Sequence, residues 1–203
     1  MTLLEGGKSM ETDRINSRND LDVLTRILHL GLVVFGLLAL ITGNFADDYK
    51  KVGGLGFITH EWVGIGVTFF VSLRLGYGFW GPVPARFSSW LPCNKERLKL
   101  VMEDIAGLLK FRLPDRQPHQ GLAGLVEISG LLLFFLLAMS GVFLFFAIEP
   151  GYRAQGMTHF VKEIHELGEI LLPLFFVVHG GAVALHAMTG AHLWRKMVFL
   201  RNR

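Results

Sequence analysis

Four long apolar segments constrain the fold of this chain more than any other feature. They cover about residues 26–43, 57–80, 121–148 and 164–187. A helix needs about 20 mostly apolar residues to cross the hydrocarbon core of a bilayer, and each segment is near that length. The two-residue alternation of a membrane β-barrel is absent from these segments. The sequence therefore predicts an all-α membrane protein, a single domain built as a four-transmembrane-helix bundle.

The composition argues against other classes of protein. Charged residues make up 18% and hydrophobic residues 51% of the 203 residues, whereas soluble domains carry about 25% charged residues. The single cysteine, Cys93, excludes an internal disulfide, an iron–sulfur cluster held by this chain alone and a C-x-x-C-H haem attachment site. We therefore expect contact with membrane lipid and no nucleic-acid partner.

The basic residues predict the orientation of the bundle. Fifteen Lys and Arg lie in the N-terminal segment up to and including Arg26, between the second and third spans, or after the fourth, and only four lie in the other two loops. The positive-inside rule then puts both termini in the cytoplasm, as an arm at residues 1–25 and a tail at 188–203, together with the loop at 81–120. Within that loop, KERLKLVMEDIAGLLKF has helical apolar spacing. It predicts an amphipathic helix, either an interfacial connector or a docking surface for a partner.

Four of the eight histidines lie inside the predicted spans. Ionisable residues at membrane depth are costly and so are candidates for function. His60 and His165 stand near the outer ends of their spans, and His29 stands near the inner end of its span. His179 follows His165 by 14 residues, which is about 21 Å of helix and close to four whole turns. The spacing predicts an outer pair, His60 with His165, and an inner pair, His29 with His179.

Two stacked imidazole pairs in a four-helix bundle indicate two b-type haems. Each iron would take two axial nitrogens from facing helices, without covalent attachment of the porphyrin. Hydrogen-bonded packing histidines and a zinc or proton site are the alternatives, although zinc usually gathers three or four close ligands. His186 follows His179 by seven residues on the same helical face and is an alternative inner ligand.

Other residues near the histidines have two possible roles each. Arg26 and Arg74 stand at the inner level, where they would neutralise haem propionates or extend to the lipid headgroups. Several glycines flank the proposed ligands, and they would either admit a flat macrocycle or allow close helix packing. These glycines are Gly64, Gly66, Gly168, Gly180 and Gly181.

Three stretches of this sequence resemble a known family. His60-Glu61-Trp62-Val63-Gly64 with Arg74 resembles the second span of the cytochrome b subunits of nickel–iron hydrogenases. His165-Glu166-Leu167-Gly168 with His179 and His186 resembles their fourth span, and Arg26-Ile27-Leu28-His29 resembles the start of their first. Bacterial cytochrome b(561) proteins and, more distantly, formate dehydrogenase gamma subunits belong to the same superfamily. Leu30 replaces the usual Trp, and Gln120-Gly121 replaces the Asn-Pro that usually follows the histidine at His119, so the role of His119 stays undecided.

The resemblance implies a multi-pass protein of the bacterial inner (cytoplasmic) membrane with two b haems, the outer one on His60 and His165 and the inner one on His29 and His179. Such a subunit passes electrons in a respiratory chain between a quinone and an external redox subunit, either an iron–sulfur protein or a cytochrome. Two alternatives remain open. One is a self-sufficient di-haem b cytochrome acting as a quinol oxidoreductase on a small diffusible substrate. The other is a haem-free membrane anchor or metal transporter.

Overall fold

A computed structural model of the chain describes residues 22–46, 54–114, 116, 119–149, 152–190 and 194–197. Most of the predicted N-terminal arm and of the predicted C-terminal tail lies outside the described residues. The same holds for residues 47–53 of the first loop and for Pro118, which precedes His119. The regular structure of the described part is entirely helical.

The helices follow one another in chain order as α1 (Val23–Gly43), α2 (Leu55–Trp80), α3 (Phe87–Trp90), α4 (Lys95–Leu108), α5 (Gly121–Ala147), α6 (Gly156–Glu166), α7 (Gly168–Met188) and α8 (Trp194–Met197). Four helical stretches of the described chain are long and apolar enough to cross a membrane: α1, α2, α5, and α6 together with α7. The prediction of an all-helical protein with four membrane-capable helices is therefore confirmed for the described residues.

The start of α1 is defined by a capping carboxylate. One oxygen of Asp22 accepts a hydrogen bond from the backbone N–H of Thr25 (2.9 Å), and the other accepts one from the Thr25 hydroxyl (2.8 Å). Such a cap satisfies an N–H group that has no partner within the helix. The Tyr77 hydroxyl also donates to Asp22 (3.0 Å), which joins the beginning of α1 to the end of α2.

The fourth membrane-capable stretch differs from the single helix predicted at 164–187. Its helical structure starts at Gly156, and Leu167 divides it into α6 and α7. The helical hydrogen-bond pattern tightens there, because the Ile170 N–H donates to the carbonyl oxygen of Leu167, only three residues earlier in the chain (3.2 Å). Pro173 interrupts the next turn, since its nitrogen carries no hydrogen to donate. As a result, His165 lies in α6 and His179 lies in α7.

An apolar core lies between the ends of the bundle. Its buried residues are Val67 and Val71 of α2, Phe134 of α5 and Leu172 of α7. The ring of Phe134 lies against Gly36 of α1, where an added Cβ would come within 2.7 Å of that ring. Glycine at this position therefore lets an aromatic side chain approach the helix backbone closely. The same ring lies 6.3 Å, centroid to centroid, from that of Phe176 in α7, so it joins α1, α5 and α7.

Helix α4 lies within the predicted amphipathic segment and packs against the start of α5. Leu98, Met102 and Ile105 are exposed, and Val101 is buried. Asp104 is also buried, contrary to the expectation that the charges face away from the packed side. Its carboxylate accepts hydrogen bonds from Leu122 N (2.9 Å) and from Arg116 Nε (2.5 Å). This acidic residue is buried because it caps the first turn of α5 from a neighbouring helix.

Candidate functional site

The imidazoles of His60 and His165 face each other at one end of the bundle. Their ring centroids are 6.1 Å apart and their planes are inclined by 80°. His60 belongs to the first turns of α2, and His165 belongs to the last turn of α6. The structure thus brings these two residues together as the sequence predicts, and both rings are half-buried.

Each ring of this pair contacts a hydroxyl group on an adjacent helix. Thr42 Oγ1 of α1 lies 3.1 Å from His60 Nδ1, and Ser140 Oγ of α5 lies 2.9 Å from His165 Nδ1. Sequence reasoning missed both hydroxyl residues, since Ser and Thr in apolar helices commonly bond only to their own helix. Each is followed by a glycine, Gly43 or Gly141, but Ser129-Gly130 has the same pattern without a histidine contact, so the sequence offered no distinguishing signal.

A second pair, His29 with His179, lies at the other end of the bundle. The ring centroids are 6.3 Å apart and the planes are inclined by 52°. His29 belongs to α1 and His179 to α7. The ring of Phe175, one turn earlier in α7, stacks on His179 at a centroid distance of 5.4 Å and an angle of 13°. Packing against an aromatic ring therefore helps to orient His179.

His186, the alternative partner of His29, is engaged elsewhere. Its Nδ1 lies 2.8 Å from the carbonyl oxygen of Ala182, and its Nε2 lies 2.9 Å from the carbonyl oxygen of Pro114. Both ring nitrogens are thus directed at backbone oxygens, and the second contact joins the end of α7 to the loop that follows α4. The geometry favours His179 over His186 as the partner of His29.

The two predicted arginines lie at the end of the bundle occupied by His29 and His179. Arg26 is half-buried and stands one turn before His29 in α1. Arg74 lies over the ring of Phe87, with its guanidinium carbon 5.5 Å from the ring centroid. Nη1 of Arg74 is buried and has no hydrogen-bond partner within the described chain. A buried donor without a partner is costly, so this atom is available to an anionic group bound nearby.

The role of His119, which the sequence left undecided, is indicated by its side-chain contacts. Its Nδ1 makes a short hydrogen bond to a carboxylate oxygen of Glu127 in α5. Its ring also packs on Trp90, with centroids 5.5 Å apart. The residue has a positive φ of 65°, which is uncommon outside glycine and needs support from its surroundings. These contacts give His119 a structural role in joining the loop to α5, and they reveal Glu127 as a polar residue of the span.

The glycines near the histidines divide into two groups. The ring of Phe35 occupies the space beside Gly66, and the side chain of Leu137 occupies the space beside Gly168, so these two glycines serve helix packing. Gly64, Gly180 and Gly181 have no atom within 4 Å of an added Cβ. Of these, Gly64 stands one turn after His60 on the same face of α2, where a planar group could approach the backbone.

The donor set fits a metal held between two imidazoles. A metal ion lies about 2 Å from each ligating imidazole nitrogen, so two opposed rings have their centroids roughly 6 Å apart. Both pairs meet this distance. Among the described residues, no group of three or more His, Cys, Asp and Glu is arranged to hold a bare metal ion. Two opposed imidazoles, open space beside glycines and a buried Arg74 donor together suit the iron, the flat ring and the propionates of a b-type haem.

Comparison with known proteins identifies one family. The family model for prokaryotic cytochrome b561 matches residues 20–199, which include all four membrane-capable helices and both histidine pairs. The chain has no match among curated proteins or among solved structures.

Proposed function

Since the chain belongs to the prokaryotic cytochrome b561 family and is a membrane b-type cytochrome of electron transfer, we propose that it holds two b haems. We further propose that it carries electrons across the membrane between a quinone pool and a partner oxidoreductase or cytochrome. A b haem carries one electron at a time, and this transfer forms no covalent bond to the protein. The protein must therefore bind it, orient it and set its potential.

The observation that carries this proposal is the pair of ring separations, 6.1 Å for His60–His165 and 6.3 Å for His29–His179. The two pairs lie on either side of the core formed by Val67, Val71, Phe134 and Leu172. His60 and His165 would hold one haem iron through a ring nitrogen each, and His29 and His179 would hold the other. Arg74, with Arg26 beside it, would bind the propionates of the second haem.

The short connections at the His60–His165 end support the proposal of a partner subunit. Only residues 44–54 join α1 to α2, and only residues 148–155 join α5 to α6. Neither connection is long enough to form a domain that holds a further redox centre. The proposal therefore places an iron–sulfur protein or a cytochrome against this end, in a bacterial inner membrane with the opposite end facing the cytoplasm.

The first test is the haem content of the full chain purified in detergent. We expect a reduced-minus-oxidised spectrum of b type and a pyridine haemochrome assay that gives two haems per chain. His60→Ala should retain one haem, since alanine offers no axial nitrogen. The matched control is His159→Ala, because His159 is an exposed histidine of α6 that faces Glu163 at 3.6 Å; it should retain both haems.

Other outcomes would change the assignment. A protein without a Soret band would overturn the di-haem proposal and leave a haem-free membrane anchor. Two haems per chain, with reduction by a quinol analogue but no redox subunit recovered on mild purification from the native membrane, would contradict the partner and favour a self-sufficient quinol oxidoreductase.

A further inference from the structure

Two matching dipeptides surround the rings of His60 and His165. Thr42-Gly43 ends α1, and Ser140-Gly141 lies in the second half of α5. In each dipeptide the hydroxyl residue reaches Nδ1 of one imidazole, and the glycine lies against Cε1 of the same ring. An added Cβ would be 3.6 Å from His60 Cε1 at Gly43 and 3.2 Å from His165 Cε1 at Gly141. Two unrelated helices thus present the same combination of groups to two facing rings.

The helix backbone determines the direction of both hydrogen bonds. The Thr42 hydroxyl lies 2.7 Å from the carbonyl oxygen of Leu38, and the Ser140 hydroxyl lies 2.7 Å from that of Leu136. A carbonyl oxygen can only accept, so each hydroxyl donates its single hydrogen to its own helix. From this arrangement we infer that the hydroxyl oxygen accepts from the imidazole and that Nδ1 carries the proton.

The tautomer follows from this direction. In a neutral imidazole with a proton on Nδ1, the lone pair is on Nε2. His60 and His165 are therefore both held with Nε2 ready to bind a metal, and neither ring can exchange its two nitrogens without losing a hydrogen bond. A hydrogen bond from the second nitrogen of a metal-bound histidine also makes the ring a stronger electron donor.

We propose that Thr42 and Ser140 are positioning residues that fix the tautomer of His60 and His165 and lower the midpoint potential of the haem bound there. This inference rests on the proposed function, since it requires haem at this pair. Stronger donation by the two ring nitrogens would stabilise oxidised iron more than reduced iron, and this would lower the potential. The hydroxyls act through the histidines and do not touch the iron.

The other pair provides an internal comparison. His179 is oriented by the stacked ring of Phe175, and neither Thr42 nor Ser140 contacts His29 or His179. Substitution of the two hydroxyl residues should therefore affect one haem and leave the other unchanged. Alanine substitutions at the two glycines should also differ from each other. Gly141→Ala would crowd the ring of His165, whereas Gly43→Ala would make an ordinary contact with the ring of His60.

The test is a spectroscopic redox titration of the full chain, with haem content and low-spin EPR spectra measured on the same samples. Thr42→Val and Ser140→Ala should each raise one of the two midpoint potentials and alter the EPR signal of the same haem. Thr42→Ser should restore both properties. Ser129→Ala is the matched control, because Ser129 makes the same bond to its own helix (2.8 Å to Leu125 O) on an exposed face of α5.

The affected haem is identified in a His179→Ala background, in which we expect only the haem of His60 and His165 to remain. Unchanged potentials in both hydroxyl variants at full haem content would overturn the inference while leaving the proposed function intact. Loss of that haem in Thr42→Val and its recovery in Thr42→Ser would support the positioning role. Wild-type protein without two haems would instead contradict the proposed function itself.

Discussion

The guanidinium of Arg74 lies over the ring of Phe87, and its Nη1 is buried without a hydrogen-bond partner in the described chain. Phe87 belongs to α3, outside the spans, and its ring fills the space beside Gly78 of α2. The ring thus holds Arg74 at the end of the bundle near His29 and His179. A cation over an aromatic face is attracted to it by the ring quadrupole.

Arg74→Gln should lower the midpoint potential of the haem at His29 and His179, because a buried positive charge favours the reduced state of a nearby iron. We expect a shift on the order of 60 mV, which is a tenfold change in a one-electron equilibrium. Redox titration of the purified protein measures it. Lys99→Gln is the control, since Lys99 is highly exposed and only faces Glu103 on the surface of α4. Equal shifts in both variants would contradict a local effect of Arg74.

His179→Ala and His186→Ala should separate the two candidate ligands. His179 faces His29, whereas His186 contacts two backbone carbonyls. The first variant should keep one haem per chain and the second should keep two, as measured by pyridine haemochrome. His186→Ala should still lose about 1 kcal/mol of stability for each hydrogen bond removed. Loss of a haem from His186→Ala with full content in His179→Ala would reverse the assignment.

Asp104→Ala should destabilise the contact between α4 and α5. The carboxylate caps Leu122 N and also pairs with Arg116, and the loss of a cap costs about 1–2 kcal/mol. Thermal unfolding in detergent should show a lower Tm. Glu103→Ala is the matched control, because Glu103 contacts the same Arg116 (3.0 Å) but is half-exposed. An exposed ion pair contributes less than about 1 kcal/mol, so an equal loss in both variants would argue against the cap.

Stability should fall at acid pH through Asp22. Burial raises the pKa of this carboxyl, but hydrogen bonds from Thr25 and Tyr77 outweigh burial and hold the pKa below its ordinary value of 3.8. The ionised group therefore stabilises the fold fully above 3.8, and this contribution is lost as the pH falls through the lower pKa of the folded state. The Tm of the wild type should drop more steeply over this acid range than that of Asp22→Asn. Parallel curves would show that Asp22 is not responsible.

The helical architecture was predictable because it is a local property. Twenty or so apolar residues that enter a bilayer must form a helix to satisfy their backbone groups, and the described chain has four helical stretches of that kind. The spacing of His165 and His179 also depends only on the rise and turn of a helix. Even the division of that stretch at Leu167 leaves the two histidines at opposite ends of the core.

The lateral order and rotation of the helices are not encoded in hydropathy. Nothing in the apolar pattern of α5 indicates that Ser140 reaches His165, or that Glu127 pairs with His119. The same limit applies to the glycines, of which Gly66 and Gly168 are packed and Gly64 is open. Each of these features depends on which face of one helix meets which face of the next.

The amino-acid pattern alone was enough to predict the four membrane-capable helices and the positions of His29, His60, His165 and His179 along them, because length, apolarity and helical periodicity act within a single segment. Only the packing of the helices shows that His179 and not His186 faces His29, that Asp104 is buried as a cap, and that Thr42 and Ser140 contact the rings of His60 and His165. These contacts join residues from separate helices, and they form only when side-chain packing fixes how the helices turn toward one another.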